Sequence, residues 1–258
     1  MAGVVDLFAA SHVVAGLTAL ARRADARWLV PRGYREIEGA LPPKSGAIVF
    51  GDLDRVDDDL AVAAERLAAD AAVPGVRVLN HPVRTLRRYE LLRMLHADAE
   101  NPIDVLRVED RRPPRRWPVI LRTESGMLRR QPTLIHDQGS LDAELRRLDA
   151  LDAYRPDLLI VEVPMAGRTI GPTLRLLKAG DRLLPLDPVG GRNPLDRPAE
   201  GDWLSSVFAR GEIDFGHLCL CRIDGRIAIL DIGTDSEIVV QQGARPDVLG
   251  ALASIADN

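Results

Sequence analysis

The sequence predicts a mixed α+β fold, because helical and extended patterns alternate along the chain. Near the N-terminus, two apolar runs flank one helix within about 30 residues, which is typical of a strand–helix–strand unit. Near the C-terminus, Asp224-Gly225 separates two apolar runs, which strongly indicates a β-hairpin. The 258 residues are enough for one large domain or two small ones.

The first 79 residues are expected to form a small α/β region. A helical pattern opens residues 1–30, and a Pro- and Gly-rich stretch at 31–46 is typical of a loop. The acidic residues Asp57–Asp59 begin the next helix, where they suit the positive end of its dipole. The other predicted elements are an apolar piece at Arg27–Val30, strands Ala47–Phe50 and Val76–Leu79, and the end of the helix at Ala72.

From residue 80 onward, short strands and helices alternate. A break at Asn80-His81-Pro82 precedes a helix at Val83–Ala97, whose leucine stripe is bordered by arginines. Two loops are expected, one at the Pro- and Arg-rich segment Arg111–Arg116 and one at residues 187–202. The other predicted elements are strands Val105–Val108, Pro118–Arg122, Leu158–Val163, Thr173–Leu177, Arg182–Leu186, His217–Arg222 and Arg226–Ile232, and helices Ser140–Ala150 (Ser140 as N-cap), Trp203–Arg210 and 246–256.

Composition excludes several partner classes. The net charge of −4 gives no electrostatic footprint for nucleic acid or an anionic membrane. The aromatic content of 4% leaves few platforms on which bases stack. No run of 18 apolar residues predicts a membrane-spanning helix. Only two of the 34 basic residues are lysines, which indicates a GC-rich, bacterial genome.

The cysteines and the N-terminus point to the cytoplasm. Cys219 and Cys221 lie two apart on one predicted strand, which is a poor geometry for a disulfide, so both are expected to be buried thiols in a reducing compartment. Asp6 stands where a signal peptide carries basic residues.

Several segments occur in a characteristic order. They are Asn80-His81-Pro82, Pro118–Arg122, Leu159–Val163, Gly171–Arg175, Gly211–Gly216, the Asp-Gly hairpin and Ile229–Asp235. Their order and spacing resemble the ATP-grasp superfamily. The resemblance implies two α+β lobes around a cleft at residues 80–258, preceded by a small α/β domain at residues 1–79. ATP lies between the lobes in that superfamily, and the usual product is an amide or thioester made through an acyl-phosphate.

The resemblance also implies roles for individual residues. Arg122 takes the position that contacts phosphate before a mobile loop, and Glu162 with Val163 takes the hinge that reads adenine. Arg175 matches an arginine that faces phosphate or substrate, and Asp231 matches a terminal glutamate that helps to hold Mg²⁺.

The residues themselves leave alternatives open. Arg122 at a strand end also suits a salt bridge, and Arg88 belongs either to a phosphate-facing or to a solvated face of its helix. Glu162 lies in an apolar strand, where an unpaired charge is costly. It is therefore either a hinge residue or the partner of a buried arginine.

The pairing register of the hairpin determines which side chain lies across from Asp231, and therefore whether the two could hold a metal ion together. A two-residue turn places Leu218 opposite Asp231, and a three-residue loop places Cys219 there. Neither side chain suits Mg²⁺, which prefers oxygen ligands. Asp214 lies too far along the strand to share an ion with Asp231. It would instead face Asp235, as a displaced site or an acidic strand end.

The terminal motif also departs from the family pattern of glutamate followed two residues later by asparagine. Asp231 shortens the glutamate, and Gly233 supplies no side chain. The leading hypothesis is therefore an ATP-grasp-like pseudoenzyme with an eroded Mg-ATP site, which binds a small molecule or a partner protein in a biosynthetic pathway. The alternative is an active ATP-dependent carboxylate–amine or thiol ligase with a rearranged Mg²⁺ site. A different α/β fold is the third interpretation, and a homodimer is compatible with the first two.

Overall fold

The computed structural model describes residues 3–126, 133–150, 157–163, 173–186 and 198–257. The chain divides into two compact units. Unit 1 comprises Met1–Arg87, Arg175–His217 and Gly233–Asn258, and unit 2 comprises Arg88–Leu174 and Leu218–Ile232. Helices and sheets are mixed along the chain, so the predicted α+β class is confirmed. The domain boundary after residue 79 stays a prediction.

Unit 1 begins with a four-stranded parallel sheet of order β2-β1-β3-β4. Its elements are strands β1 Val4–Ala9, β2 Leu29–Gly33, β3 Gly46–Phe50 and β4 Val76–Leu79, and helices α1 Ser11–Arg23 and α2 Asp58–Asp70. The predicted strand–helix–strand unit is confirmed, since β3 and β4 pair in parallel with Ile48 beside Val78. The Asp57 carboxylate caps α2 by accepting from the Leu60 N–H over 2.9 Å.

The chain begins with strand β1, so the helical pattern predicted for its start is wrong there. All its residues after Val4 are buried, as is usual in a parallel sheet that is covered on both faces. Apart from Asp6, this run is apolar and has no alternation, so periodicity cannot distinguish it from a helix. Phe8 of β1 stacks on Phe50 of β3, with ring centroids 5.6 Å apart.

Unit 2 contains an antiparallel sheet of order β5-β8-β6-β7. Its strands are β5 Asp104–Arg107, β6 Val119–Thr123, β7 Leu134–Ile135 and β8 Leu158–Glu162, and the unit adds helices α3 Arg88–Ala97 and α4 Gln138–Ala150. The core of this unit includes Leu106, Val119, Leu141 and Ile160.

Three helix starts differ from the sequence predictions, and one of them is that of the helix Pro198–Arg210, which begins before the predicted Trp203 and within a stretch that was expected to be a loop. Helix α3 begins at Arg88 rather than at Val83, because the residues after the His81-Pro82 break form a turn in which the Thr85 N–H bonds to the His81 carbonyl. Helix α4 begins before Ser140, and Asp137 is the capping residue, since its carboxylate accepts from the Ser140 N–H over 2.8 Å.

The remaining elements lie in the C-terminal part of the chain. They are strands β9 Leu174–Ala179, β10 Arg182–Pro185, β11 Phe215–Ile223 and β12 Arg226–Gly233, and helices α5 Pro198–Arg210, α6 Glu237–Gln242 and α7 Pro246–Asp257. The strands form a sheet of order β10-β9-β11-β12. Helix α6 was not predicted. Gly171, Pro172 and residues 187–197 lie outside the described residues.

The Asp-Gly hairpin is confirmed with a two-residue turn. Asp224 and Gly225 both have positive φ, 52° and 78°, as a type I′ turn requires. At the other end of the hairpin, a Cβ atom on Gly216 would lie 2.1 Å from the Gly233 carbonyl oxygen, so these residues approach closely. The turn and this approach agree on one register, which places Leu218 across from Asp231.

Two further expectations concern the burial of the two cysteines and membrane-spanning helices. Cys219 and Cys221 are both buried, as predicted, and neither is part of a disulfide. Burial raises the pKa of Cys221 to about 11. In the part of the chain that the structure describes, no helix has the length and apolar character needed to cross a membrane.

Candidate functional site

Asp231 of β12 is held by two arginines inside unit 2. Arg88 Nε donates to Asp231 Oδ1 over 2.8 Å, and Arg122 Nη1 lies 2.7 Å from the same oxygen. The side chains of Arg88 and Asp231 are fully excluded from solvent, and that of Arg122 is 6% exposed. These three residues, named the Asp231 clamp below, are among those for which metal or phosphate roles were predicted from the sequence.

Local structure explains how the clamp forms. Arg88 is the first residue of α3, and its Nε also donates to the Ile232 carbonyl over 3.1 Å. Arg122 lies near the end of β6, where Nε donates to the Thr123 carbonyl over 3.2 Å and Nη2 donates to the Gly126 carbonyl. Arg122 therefore joins Asp231 to the segment that follows β6. A salt bridge at a strand end was the alternative role predicted for Arg122, and it matches this geometry.

Glu124 is a site residue that sequence reasoning missed. One of its carboxylate oxygens accepts from the Tyr89 N–H over 3.1 Å in the first turn of α3, and the other lies 3.3 Å from Arg107 Nη2. The Arg107 guanidinium in turn lies 4.3 Å from the centre of the Tyr89 ring. Glu124 thereby anchors the segment after β6 to the N-terminal end of α3, next to the clamp.

The predicted hinge residues are engaged within unit 2. The buried Glu162 carboxylate accepts from the Arg115 N–H over 2.7 Å, so its partner is a backbone group rather than a guanidinium. The Val163 N–H donates to the Pro118 carbonyl over 3.1 Å and continues the pairing of β8 with β6. The adenine-reading role stays a prediction.

Arg175 lies in unit 1, on β9, and not with the other predicted nucleotide residues in unit 2. It is buried, and its Nη1 donates to Gln241 Oε1 over 3.1 Å.

Asp235 and Asp214 occupy different surroundings in unit 1. Asp235 is buried, with Oδ2 3.2 Å from His217 Nδ1 and Oδ1 3.8 Å from Arg55 Nη2. Burial raises the pKa of Asp214, while the charges of Lys178 and Arg77 oppose that rise. The paired strands end at Phe215 and Gly233, before the two carboxylates could face each other along the ladder.

Asp52 is a second residue that sequence reasoning missed. It follows β3, and its carboxylate accepts from the N–H groups of Ala10 and Ser236 over 2.8 and 3.0 Å, and from the Ser236 hydroxyl. Burial raises the pKa of Asp52, and the nearby charge of Asp235 raises it further. A glycine–aspartate pair directly after an apolar strand was the signal for this site.

The described donors do not fit a Mg²⁺ ion at Asp231. Its carboxylate already faces two guanidinium groups, and Leu218 across the hairpin has no oxygen atom in its side chain. Nowhere among the residues that the structure describes do three or more His, Cys, Asp or Glu side chains form a group that could hold a metal. No step through a metal-bound nucleotide follows from this geometry.

Comparison with known proteins identifies the fold. No family model matches the chain, and no curated protein matches it. Among solved structures, a RimK-domain ATP-grasp protein from Sphaerobacter thermophilus superposes with a TM-score of 0.56 at 17% identity, over 98% of this chain and 100% of that chain. The chain has an ATP-grasp-like fold.

Two other ATP-grasp-like neighbours were solved with peptides. The ligase PsnB, complexed with the precursor peptide PsnA2 and AMPPNP, gives a TM-score of 0.59 at 13% identity, over 99% of this chain and 97% of that chain. The macrocyclase MdnC from Microcystis aeruginosa, bound with the precursor peptide MdnA, gives 0.54 at 12% identity, over 98% and 99% of the two chains. The ATP-grasp-like fold predicted from the sequence is thus confirmed.

Proposed function

We propose that this ATP-grasp-like chain is a pseudoenzyme that acts by binding a partner and does not turn over MgATP. The observation that carries the proposal is the Asp231 clamp. In an active ATP-grasp enzyme, as the resemblance implies, the carboxylate at this position would bind Mg²⁺ through its oxygens. Here it is the buried counter-ion of Arg88 and Arg122.

The energetics of the clamp support this proposal. Moving a buried carboxylate from its arginines to a metal would leave guanidinium charges buried without compensation, which costs several kcal/mol. Mg²⁺ also holds its own water strongly and needs near-octahedral oxygen ligands to displace it. A single shortened carboxylate opposite Leu218 does not supply such a set.

The other acidic candidates do not replace Asp231. Asp235 faces His217 and Arg55, and Asp214 lies among the charges of Lys178 and Arg77. The active ligase with a rearranged metal site is therefore the weaker candidate, and the experiment below decides between the two.

The proposed partner is a polypeptide. PsnB and MdnC, whose folds are similar, were solved with precursor peptides. A chain that keeps this fold without turnover is suited to hold a peptide or protein of a biosynthetic pathway in the cytoplasm, and a homodimer is compatible with that role.

The test compares thermal unfolding with and without millimolar MgATP, and then measures ADP release with a panel of acids and amines. A ligand at 100 times its Kd stabilises a fold by about 2.7 kcal/mol, which is a readily measured shift in Tm. We expect little or no shift and no acid-dependent ADP release. A clear shift with acid-dependent ADP release that is lost in Asp231→Asn would establish the ligase instead, provided that Asp231→Asn remains folded by circular dichroism.

A further inference from the structure

An exposed cluster of arginines lies between β5 and β6 of unit 2. Residues Arg111–Arg116, named the arginine loop below, have the sequence Arg-Arg-Pro-Pro-Arg-Arg. The side chains of all four arginines are exposed. None of their guanidinium groups forms an ion pair with a residue that the structure describes.

The acidic residues nearest in sequence do not neutralise the arginine loop. Glu109 Oε1 lies 3.6 Å from Arg107 Nη1, and Asp110 Oδ2 accepts from the Tyr89 hydroxyl over 3.4 Å. Both acids are thus directed toward the Tyr89–Arg107 pair. The loop consequently presents four positive charges on a chain whose net charge is −4.

The backbone of the arginine loop is fixed at several points. Arg111 adopts a positive φ of 53°, which turns the chain out of the short helix at Val108–Asp110. Pro113 and Pro114 restrict their own φ and hold the preceding residues in extended conformations. The Arg115 N–H is tied to the buried Glu162 carboxylate. A loop fixed in this way loses little backbone entropy when its side chains bind a ligand.

We propose that the arginine loop docks an extended acidic segment of a partner polypeptide. The proposal rests on the function proposed above, since it names the partner class of a binding protein. Arginine forks match carboxylates in bidentate geometry. The two arginine pairs are separated by two extended prolines, about 9 Å from Arg112 to Arg115 at the polyproline rise. An extended peptide presents carboxylates at that distance when its acidic residues are three positions apart.

A polypeptide suits this surface better than a nucleic acid does. A duplex contacts many phosphates over a large basic face, whereas this basic surface is one loop on a chain with a net negative charge. Binding of a single strand relies on stacking of bases on aromatic side chains. Trp117 is the one aromatic residue adjacent to the loop in the sequence, and it is only partly exposed.

The experiment measures binding of a fluorescein-labelled peptide, Gly-Ser-Glu-Glu-Ser-Gly-Glu-Glu-Ser-Gly, by fluorescence anisotropy with the chain of 258 residues. One variant replaces the loop arginines (Arg111→Gln, Arg112→Gln, Arg115→Gln and Arg116→Gln). A matched control replaces four other exposed arginines in unit 1 (Arg22→Gln, Arg23→Gln, Arg35→Gln and Arg66→Gln). Both variants remove the same charge. A second peptide with Gln in place of Glu and a single-stranded oligonucleotide of equal charge are run beside the first.

We expect the loop variant to weaken binding of the Glu peptide by about tenfold or more, which corresponds to about 1.4 kcal/mol. The control variant should bind as the parent does, and the Gln peptide should not bind. No binding of the Glu peptide, equal weakening by both variants, or tighter binding of the oligonucleotide would overturn the proposal. ADP release is measured separately. Turnover of MgATP would therefore refute the proposed pseudoenzyme, while the peptide-binding result for the arginine loop would still stand or fall by itself.

Discussion

Arg88 Nε donates to Asp231 Oδ1 over 2.8 Å, and neither side chain is exposed to solvent. The two residues are 143 positions apart in the sequence. The resemblance assigned Asp231 to a metal, and Arg88 was expected on either a phosphate-facing or a solvated face of its helix. The structure joins the two residues to each other. A buried charge pair of this kind adds little net stability when complete, but it is costly to break, because the charge that remains has no compensation.

The first prediction concerns the Asp231 clamp. Asp231→Asn removes the negative charge and leaves Arg88 and Arg122 facing a neutral amide. We expect the free energy of unfolding to fall by about 3–5 kcal/mol, measured by urea denaturation. Asp149→Asn is the control, because Asp149 is exposed in the same unit, and it should change stability by less than about 0.5 kcal/mol. A loss in Asp231→Asn as small as that in the control would mean that the clamp is not formed.

The second prediction concerns Glu124. Glu124→Ala removes the acceptor for the Tyr89 N–H and the partner of Arg107. We expect a loss of about 1–2 kcal/mol, as for removal of a helix cap. Glu124→Gln keeps an oxygen acceptor and should lose less. The control Glu38→Ala changes an exposed residue in unit 1. If the Ala and Gln variants of Glu124 matched this control in chemical denaturation, Glu124 would not anchor α3.

Local sequence predicted much of the fold. The Asp-Gly turn at 224–225 needs two residues with positive φ, and these residue types supply it without help from distant parts of the chain. Helix α2 begins with its own cap at Asp57. Strand β1 was missed, because its run of buried residues has neither a period of two nor one of 3.6.

The candidate site was predicted less well, for a physical reason. Its decisive contacts join residues far apart in sequence, such as Asp52 and Ser236, which are 184 positions apart. A motif indicates which residue types are present but not which charges become partners. Arg122 and Asp231 were therefore found as candidates, while their contact with each other was not.

The third prediction is a pH dependence from Asp52. Burial, followed by the charge of Asp235, raises the pKa of Asp52 in the folded protein. The folded state therefore binds the proton more tightly than the unfolded chain does. The stabilising contribution is complete below the unfolded pKa of about 3.9, and it is lost as the pH rises through the raised folded value.

The check compares the free energy of unfolding from pH 4 upward in the parent and in Asp52→Asn. Asparagine keeps only one oxygen acceptor, so the variant loses one of the two hydrogen bonds from the amides of Ala10 and Ser236, and its stability at any one pH is lower. The informative quantity is the slope of the free energy of unfolding against pH. The parent should lose stability with rising pH in this window relative to Asp52→Asn, and parallel curves would show that Asp52 does not titrate with a raised pKa.

The last prediction tests the hairpin register on which the fit of a metal at Asp231 depends. Gly216→Ala would place a methyl group 2.1 Å from the Gly233 carbonyl oxygen, so the strands would have to separate. We expect a loss of about 2 kcal/mol or more, as for overpacking in a core. Gly201→Ala is the matched control, because Gly201 lies in α5 with no atom near the added methyl group. That control should gain about 0.5–1 kcal/mol from its higher helix propensity. If Gly216→Ala were as stable as the parent, Gly216 and Gly233 would not face each other, and Leu218 would not lie across from Asp231.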